Sequence, residues 1–301
     1  IATRYQSADG IFSSLPKSFS PAIIALFTMY FAWGTGFVVT KIALEDFPAI
    51  LFNALRFLTA GSVLMAFCLM KGMKLPRSKS EFKKIAISSC LSIFAGNLFL
   101  NIALINLENG GIAPVITGLE SSIFIIACFL AGEKFRPAVW IGLGVGFVGL
   151  LVMFWPAVDG LINDPSANVK SYAIALIFLL LTAACWGLGG YFMRYHPSDS
   201  PLLLYTACQY LTGCIVFLII AAVMDDWNLA GYSLQSWLAF GYIVVVSTII
   251  GYGAFVYILV ELPPPVVATK AYVIPVISIA TGILLRGESL TGFQIAGTAI
   301  I

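Results

Sequence analysis

Two charged residues, Glu120 and Lys270, each lie inside a long apolar stretch of the sequence. Such side chains are costly to bury and usually face a partner or a water-filled cavity. Glu120 offers a carboxylate for a substrate amine or for a proton, with a buried ion pair as the structural alternative. Lys270 offers an ammonium for a carboxylate or phosphate, or for Glu120. Because Lys270 follows three prolines at 263–265 closely, it could instead reach the aqueous surface.

Aromatic and polar side chains in the same apolar stretches are further candidates for contact with a substrate. Asn97 and Asn101 are four residues apart and share a helix face; such amides either hold helices together or line a wet path. The tryptophans could stack on an organic solute or simply fill the bundle. The full set of additional candidates is Trp33, Trp186, Asn97, Asn101, Tyr252, Tyr272 and Thr117.

A second set of residues is interpreted as structural. Arg56 lies about 12 Å deep at the helical rise and is expected to anchor its span to carbonyls or a lipid headgroup. Two glutamates end their helices at opposite membrane faces, and four glycines allow close helix approach. These residues are Glu133, Glu288, Gly34, Gly36, Gly187 and Gly189.

The sequence lacks the patterns that enzymes and metal sites need. There are no paired acids on one span, no HxxH, and no serine–histidine arrangement, and the single histidine is His196. Six cysteines lie in apolar blocks without a CxxC pair, and such cysteines are usually packing residues. We therefore expect no catalytic activity, cofactor or metal. No basic stripe with interleaved aromatics indicates a nucleic-acid partner.

The composition is that of a membrane protein. Of 301 residues, 60% are hydrophobic and 10% charged, against about 25% charged in soluble domains. The apolar blocks have the length of bilayer-spanning helices, roughly 20 residues. After a tail over 1–20, we predict ten spans: 21–43, 48–70, 85–105, 110–131, 137–157, 171–193, 201–223, 235–259, 264–285 and 291–301. The last holds eleven residues, too few to cross at about 1.5 Å each, so we expect it to continue beyond Ile301.

The basic residues are distributed unevenly between the predicted loops. Eleven of the sixteen lysines and arginines fall on the side of the N-terminus and three on the other side, while Arg56 and Lys270 lie within spans. The positive-inside rule then predicts that both termini are cytoplasmic. The chain is expected to be a multi-pass protein of the bacterial inner membrane.

The sequence contains an internal repeat. At an offset of 153, Trp33, Gly34 and Gly36 match Trp186, Gly187 and Gly189, and further matches are Asp46 with Asp199 and Pro48 with Pro201. At an offset of 155, Gly132 and Glu133 match Gly287 and Glu288. Each copy holds five spans, so the second must enter the membrane from the opposite side. We predict an all-α fold of two inverted five-helix repeats over 21–158 and 171–301, typical of alternating-access carriers with a midplane site.

The WGTG and WGLG segments, the segment from Pro48 to Thr59, and the two Gly-Glu pairs together resemble the drug/metabolite transporter superfamily, specifically its EamA-type members. The resemblance covers about residues 21–301. It implies ten helices, a central cavity lined mainly by spans 1, 3, 4, 6, 8 and 9, and transport of small organic solutes. Such chains usually have a proline midway along span four; Pro275 keeps it in the second copy, whereas Glu120 replaces it in the first.

We therefore expect a secondary active transporter with a small polar solute and the lipid bilayer as its partners. The leading substrate is an amino acid or related zwitterion, moved by export or exchange. One alternative is proton-coupled export of hydrophobic cations, in which Glu120 alternately binds a proton and the cation. Another is exchange of phosphorylated or nucleotide-linked metabolites, which would depend on Lys270 and Arg56.

Overall fold

The chain folds into helices. The structure, a computed structural model, describes residues 19–106, 113–163, 169–225, 227–287 and 292–300, which contain no strand. Helices α1 to α10 span Phe19–Ala43, Ala49–Met70, 79–105, Ala113–Leu130, Pro137–Asn163, Val169–Tyr195, Leu202–Met224, 234–261, Pro264–Arg286 and Gly292–Ile300. Each predicted span overlaps one of these helices, while residues 1–18 of the predicted tail lie outside the described residues.

Two of the long helices have a π-helical segment at their middle. In α3 it is Ser89–Ala95, between Lys79–Ser88 and Gly96–Ile105. In α8 it is Ile243–Tyr252, between Leu234–Tyr242 and Gly253–Glu261. A π-helical turn shifts the backbone hydrogen-bond register and is frequent at functional sites.

The distribution of side chains is that of a membrane protein. Large apolar side chains such as Phe31, Val223 and Leu284 are 58%, 83% and 82% exposed, whereas Gln209 and Lys270 are buried. Within the described residues, seven helices (α1 to α3 and α6 to α9) are long and apolar enough to span a membrane, and shorter apolar helices lie in α4 and α5. The helical class is confirmed; the count of ten spans and the inverted repeat stay predictions.

Local sequence signals explain where helices begin and end. The Ser78 hydroxyl accepts a hydrogen bond from the Glu81 amide at 3.1 Å at the start of α3, and Ser233 accepts one from the Ser236 amide at 3.2 Å at the start of α8. Such serine caps satisfy amides that have no partner within the helix. Gly132 follows α4 with φ of 99°, a backbone conformation that glycine adopts without strain.

Helix packing brings six helices around a common centre. α4 packs against both α6 and α9, and α1 packs against both α9 and the π-helical segment of α8. α6 packs in turn against the π-helical segment of α3, while α2 lies along α7 and α5 along α10. The centre is thus bordered by α1, α3, α4, α6, α8 and α9.

The bundle has two ends, named here after one residue of each. The Asp46 end holds the α1–α2 connection and the start of α8, and the Asp46 carboxylate accepts hydrogen bonds there from the Ser233 amide and hydroxyl. The Arg194 end holds the last residues of α4, α6 and α8, and Arg194 there contacts Glu133.

Candidate functional site

Glu120 and Lys270 form an ion pair at the centre of the bundle. Glu120 is 4% exposed near the middle of α4, and Lys270 is 2% exposed in the second turn of α9. The Lys270 ammonium donates a hydrogen bond to the Glu120 carboxylate. Removing two charges from water costs several kcal/mol each, so such a pair persists because each charge neutralises the other. Lys270 therefore faces Glu120 and not the aqueous surface.

Two aromatic rings flank the ammonium of Lys270. Its Nζ atom lies 4.3 Å from the ring centroid of Phe255 and 5.3 Å from that of Trp33, and the two ring centroids are 4.9 Å apart. Cations within about 6 Å of a ring are attracted to its π electrons, more strongly where water is excluded. The Lys270 ammonium is therefore paired with a carboxylate and lies close to two aromatic rings.

Glycines bring the helices that carry these side chains close together. A Cβ atom on Gly187 of α6 would lie 2.8 Å from the Glu120 carbonyl oxygen, and one on Gly34 of α1 would lie 2.6 Å from Ile277 Cβ on α9. Real Cβ atoms do not approach neighbours so closely, so a larger residue at either position would push helices apart. Gly34 and Gly187 thus set the spacing around the ion pair.

The two candidate tryptophans have different surroundings. Trp33 is half-buried beside Lys270, and its indole N–H donates to the Ser247 carbonyl of α8 at 3.2 Å. Trp186 donates to the Ser92 carbonyl of α3 at 3.1 Å and packs into a small apolar cluster with Leu100 and Ile123. Of the two, Trp33 is the tryptophan whose ring lies over the Lys270 ammonium.

The candidate polar residues of α3 and α8 bond to neighbouring helical groups. The Asn97 amide donates to the Ser92 and Ile93 carbonyls at 3.1 and 2.9 Å, and Asn101 donates to the Ala49 carbonyl at 3.0 Å. The Tyr252 hydroxyl donates to the Gln209 side chain at 3.4 Å, and its ring packs against Phe255 at 6.0 Å. Tyr252 thus reaches the ion pair only through Phe255.

Three other residues are not brought to the ion pair by described contacts. Arg56 donates to the Thr248 hydroxyl at 2.5 Å and lies 4.9 Å from the Phe57 ring. The Tyr272 hydroxyl donates to the Gly142 carbonyl of α5 at 3.2 Å. Thr117 lies in α4, but its side chain is outside the described part of the structure.

The Arg194 end is closed by bonds between helices. Arg194, 9% exposed, donates to the Leu259 and Leu262 carbonyls at 2.7 and 3.0 Å and contacts Glu133 at 3.2 Å. The Tyr195 hydroxyl donates to the same Glu133 carboxylate at 2.6 Å. Nearer the ion pair, the hydroxyls of Tyr30 and Thr269 share a hydrogen bond that links α1 to α9. The Arg194 and Tyr195 bonds link α6 to α8 and to the residues that follow α4, and the Tyr30–Thr269 bond links α1 to α9. Glu288, the counterpart of Glu133, lies outside the described residues.

The buried charges and the apolar exterior fit a membrane transport family that matches the chain. The EamA-like transporter family matches the chain twice, over residues 20–155 and 173–301. The chain belongs to the EamA-like transporter family.

Curated relatives and a solved structure are similar over most of the chain. The chain is 26% identical to the uncharacterized inner membrane transporter YedA of Escherichia coli strain K12 over 281 residues, which cover 93% of this chain and 88% of that protein. It is also 26% identical to a probable amino-acid metabolite efflux pump of the same strain over 282 residues, covering 89% of this chain and 88% of the pump. A crystal structure with 19% identity matches with a TM-score of 0.77 and covers 93% of both chains, which shows a shared fold.

In this EamA-like transporter a groove lies between α1, α8 and α9 towards the Asp46 end. Its volume is about 460 Å³, and Thr35, Tyr242 and Thr281 contribute hydroxyls to its lining. The Thr35 and Tyr242 hydroxyls hydrogen-bond to each other at 2.7 Å, and Leu284 on the rim is 82% exposed. Neither Glu120 nor Lys270 lines this groove. The ion pair is therefore separate from the groove.

Proposed function

We propose that the protein is a secondary transporter that moves a small zwitterionic solute, an amino acid or a related compound, by alternating access around Glu120 and Lys270. The main observation that supports this proposal is the buried ion pair between α4 and α9, flanked by Trp33 and Phe255. A zwitterion carries one positive and one negative charge, so it can pair with Glu120 and Lys270 at the same time. Its uptake therefore leaves neither side chain as an unpaired charge in the bundle.

The proposed exchange of partners follows from the chemistry of each group. The ammonium of the solute takes the place of the Lys270 ammonium, against the Glu120 carboxylate and the two ring faces. The displaced Lys270 ammonium then binds the carboxylate of the solute. Because the rings attract cations, this site favours an amine over a neutral group of the same size. The similarity of the chain to a probable amino-acid metabolite efflux pump supports the same solute class.

A counterflow assay in proteoliposomes tests the proposal. Vesicles are loaded with one unlabelled solute at a time, from a panel of amino acids, organic cations and phosphorylated metabolites, and entry of the labelled compound is followed. We expect counterflow of at least one zwitterion, and its loss in Glu120→Gln and in Lys270→Gln. Counterflow of another class with none of any zwitterion would overturn the proposal; protein-free vesicles are the control.

Proton-coupled export of a hydrophobic cation is the second candidate, since two aromatic faces and a carboxylate surround one positive charge. In that mechanism Lys270 competes with the cation for Glu120, so Lys270→Met should increase cation transport. The zwitterion proposal predicts the reverse, a loss of transport, because the solute carboxylate then has no ammonium partner. The same proteoliposome assay with this variant separates the two.

The direction of the chain in the membrane is part of the proposal. Two five-helix repeats of opposite orientation, with both termini in the bacterial cytoplasm, are supported by the excess of basic residues on one side and by the two separate family matches. Thiol labelling of Lys134→Cys and Glu45→Cys in intact cells tests this orientation. Lys134 should be protected from an impermeant reagent and Glu45 accessible to it.

A further inference from the structure

Trp33 and its neighbouring glycine make a close joint between α1 and the π-helical segment of α8. The Trp33 indole N–H donates to the Ser247 carbonyl at 3.2 Å. A Cβ atom on Gly36 would lie 2.5 Å from Ser247 Oγ, and one on Gly251 would lie 3.1 Å from Trp33 Nε1. Indole, serine and glycines thus fit together without room for a larger residue.

The same joint occurs between α6 and the π-helical segment of α3. The Trp186 indole N–H donates to the Ser92 carbonyl at 3.1 Å. Gly189 packs against the Ser92 hydroxyl, and Gly96 packs against the Trp186 indole. The tryptophans and the WGxG glycines match at an offset of 153, and Ser92 and Gly96 match Ser247 and Gly251 at 155. All three contacts of the first joint therefore recur in the second.

The two tryptophan–serine joints differ from the contacts at the two ends of the bundle in where they lie along the helices. All four joined segments lie near the middle of their helices, and each joint links one helix of 21–158 to one of 171–301. The joints are built from a backbone carbonyl, small residues and one indole. The ends are instead joined largely by long charged side chains, such as Arg194 with Glu133 and Arg286 with Glu45. Long charged side chains exchange partners readily, whereas close-packed glycine contacts do not.

We infer that the two tryptophan–serine joints are pivots that stay closed while the helices rock around them during transport. This inference rests on the proposed alternating-access function. The two joints are the contacts that stay unchanged during the transport cycle. Rocking around a central site requires the helices to separate at one end and approach at the other. Contacts near the middle of the helices move least in such a rotation, so a close-packed joint is tolerated there.

Engineered disulfides test the pivots, because the geometry suits them. A Cβ atom on Gly36 would lie 3.4 Å from Ser247 Cβ, and one on Gly189 would lie 3.4 Å from Ser92 Cβ, close to the roughly 3.5–4.5 Å that disulfides span. Gly36→Cys/Ser247→Cys and Gly189→Cys/Ser92→Cys are made in a background whose native cysteines are replaced by alanine. We expect counterflow to be the same in the oxidised and reduced forms of each.

A pair at the Asp46 end provides the contrast. Glu45→Cys/Arg286→Cys replaces the Arg286–Glu45 contact of 3.2 Å. When a bifunctional thiol reagent links this pair, counterflow should be lost, because this contact opens in one state. Loss of counterflow on oxidation of either joint pair, restored by reduction, would overturn the pivot inference. Absence of counterflow in the wild-type protein would instead count against the proposed function.

Spin labels test the pivots even where the cysteine pairs do not fold. Labels replace the exposed Phe31 and Val245 beside the first joint, and the exposed Lys134 and Glu261 at the Arg194 end. We expect one narrow distance at the joint, with and without an amino-acid mixture, and a broader or shifting distance at the end. A joint distance that changes as much as the end distance would overturn the inference.

Discussion

Trp33 and Trp186 occupy equivalent positions and make equivalent hydrogen bonds, yet only one of them lies beside charge. Trp33 shares the Lys270 ammonium with Phe255, whereas Trp186 packs with Leu100, Ile123 and other apolar residues. The tryptophan–serine contacts, which occur twice, therefore hold the helices of the two halves together. Of the two tryptophans, Trp33 is the one that also lies over a charged side chain.

The charged pair arises from two positions at which the halves differ. At the offset of 155, the counterpart of Glu120 is Pro275 and the counterpart of Lys270 is Val115. Each half thus contributes one charge at a position where the other half has an uncharged residue. The ion pair therefore depends on one charged residue from each half. The comparison predicts that variants on the Trp33 side change the affinity for the solute, while matched variants on the Trp186 side leave that affinity unchanged.

The largest effect is expected from breaking the ion pair itself. Glu120→Gln leaves the buried Lys270 ammonium without a counter-charge, which should lower the free energy of unfolding by about 3–5 kcal/mol and abolish counterflow. Thermal unfolding in detergent and the proteoliposome assay measure the two effects. The double variant Glu120→Gln/Lys270→Met should regain much of the stability without transport. If the double variant transports the solute like wild type, the pair is structural only.

The next effect concerns the two ends of the bundle. Arg194 and Lys41 match at the offset of 153, but Arg194 is buried and bonded to Glu133 and two carbonyls, whereas Lys41 is exposed. Arg194→Gln should destabilise the protein by about 3 kcal/mol, and Lys41→Gln by less than about 0.5 kcal/mol. Chemical unfolding of both variants in one detergent checks this. Equal losses would show that the Arg194 contacts do not hold that end together.

The sequence reveals the charged residues of the site but not their pairing. Glu120 and Lys270 are conspicuous because ionic side chains are rare in apolar spans, and the repeat identifies the glycines. The two residues are 150 positions apart, and only the packing of α4 against α9 brings them together. Phe255 is one of 23 phenylalanines, and nothing in its sequence context sets it apart. The bonding of Asn97 depends on a π-helical segment, which has no glycine or proline signal of its own.

Tyr272 shows a different limit of sequence reasoning. It lies two residues after Lys270, which places the two side chains on different faces of α9. Its ring packs against Gly146 and its hydroxyl donates to Gly142, both in α5. The absence of side chains at those glycines makes the space for it. Predicting this contact requires knowing which helix lies on each side of α9.

A smaller effect separates the two tryptophan joints. Trp33→Phe and Trp186→Phe each remove one indole N–H and keep an aromatic ring, and each should cost about 1 kcal/mol of stability. Of the two variants, Trp33→Phe should weaken the apparent affinity for the solute, since Trp33 is the tryptophan whose ring lies over Lys270. Concentration dependence of counterflow in the two variants provides the measurement. Equal changes in affinity would remove the distinction between the two halves.

The smallest effect is expected at the Asp46 end and depends on pH. Hydrogen bonds from the Ser233 hydroxyl and amide, at 2.7 and 2.8 Å, hold the pKa of the Asp46 carboxyl below its usual value of 3.8. A lowered folded-state pKa stabilises the protein above the pKa of the unfolded chain, and this contribution is lost as the pH falls through the folded-state value. Thermal unfolding between about pH 5 and pH 2 should therefore show a shallower acid-side decline in Asp46→Asn than in wild type. Asp199, its counterpart at the offset of 153, is the control: its carboxylate meets Lys84 at 3.3 Å with its side chain 87% exposed. An unchanged decline in Asp46→Asn would mean that the Ser233 contact does not contribute to stability at this end.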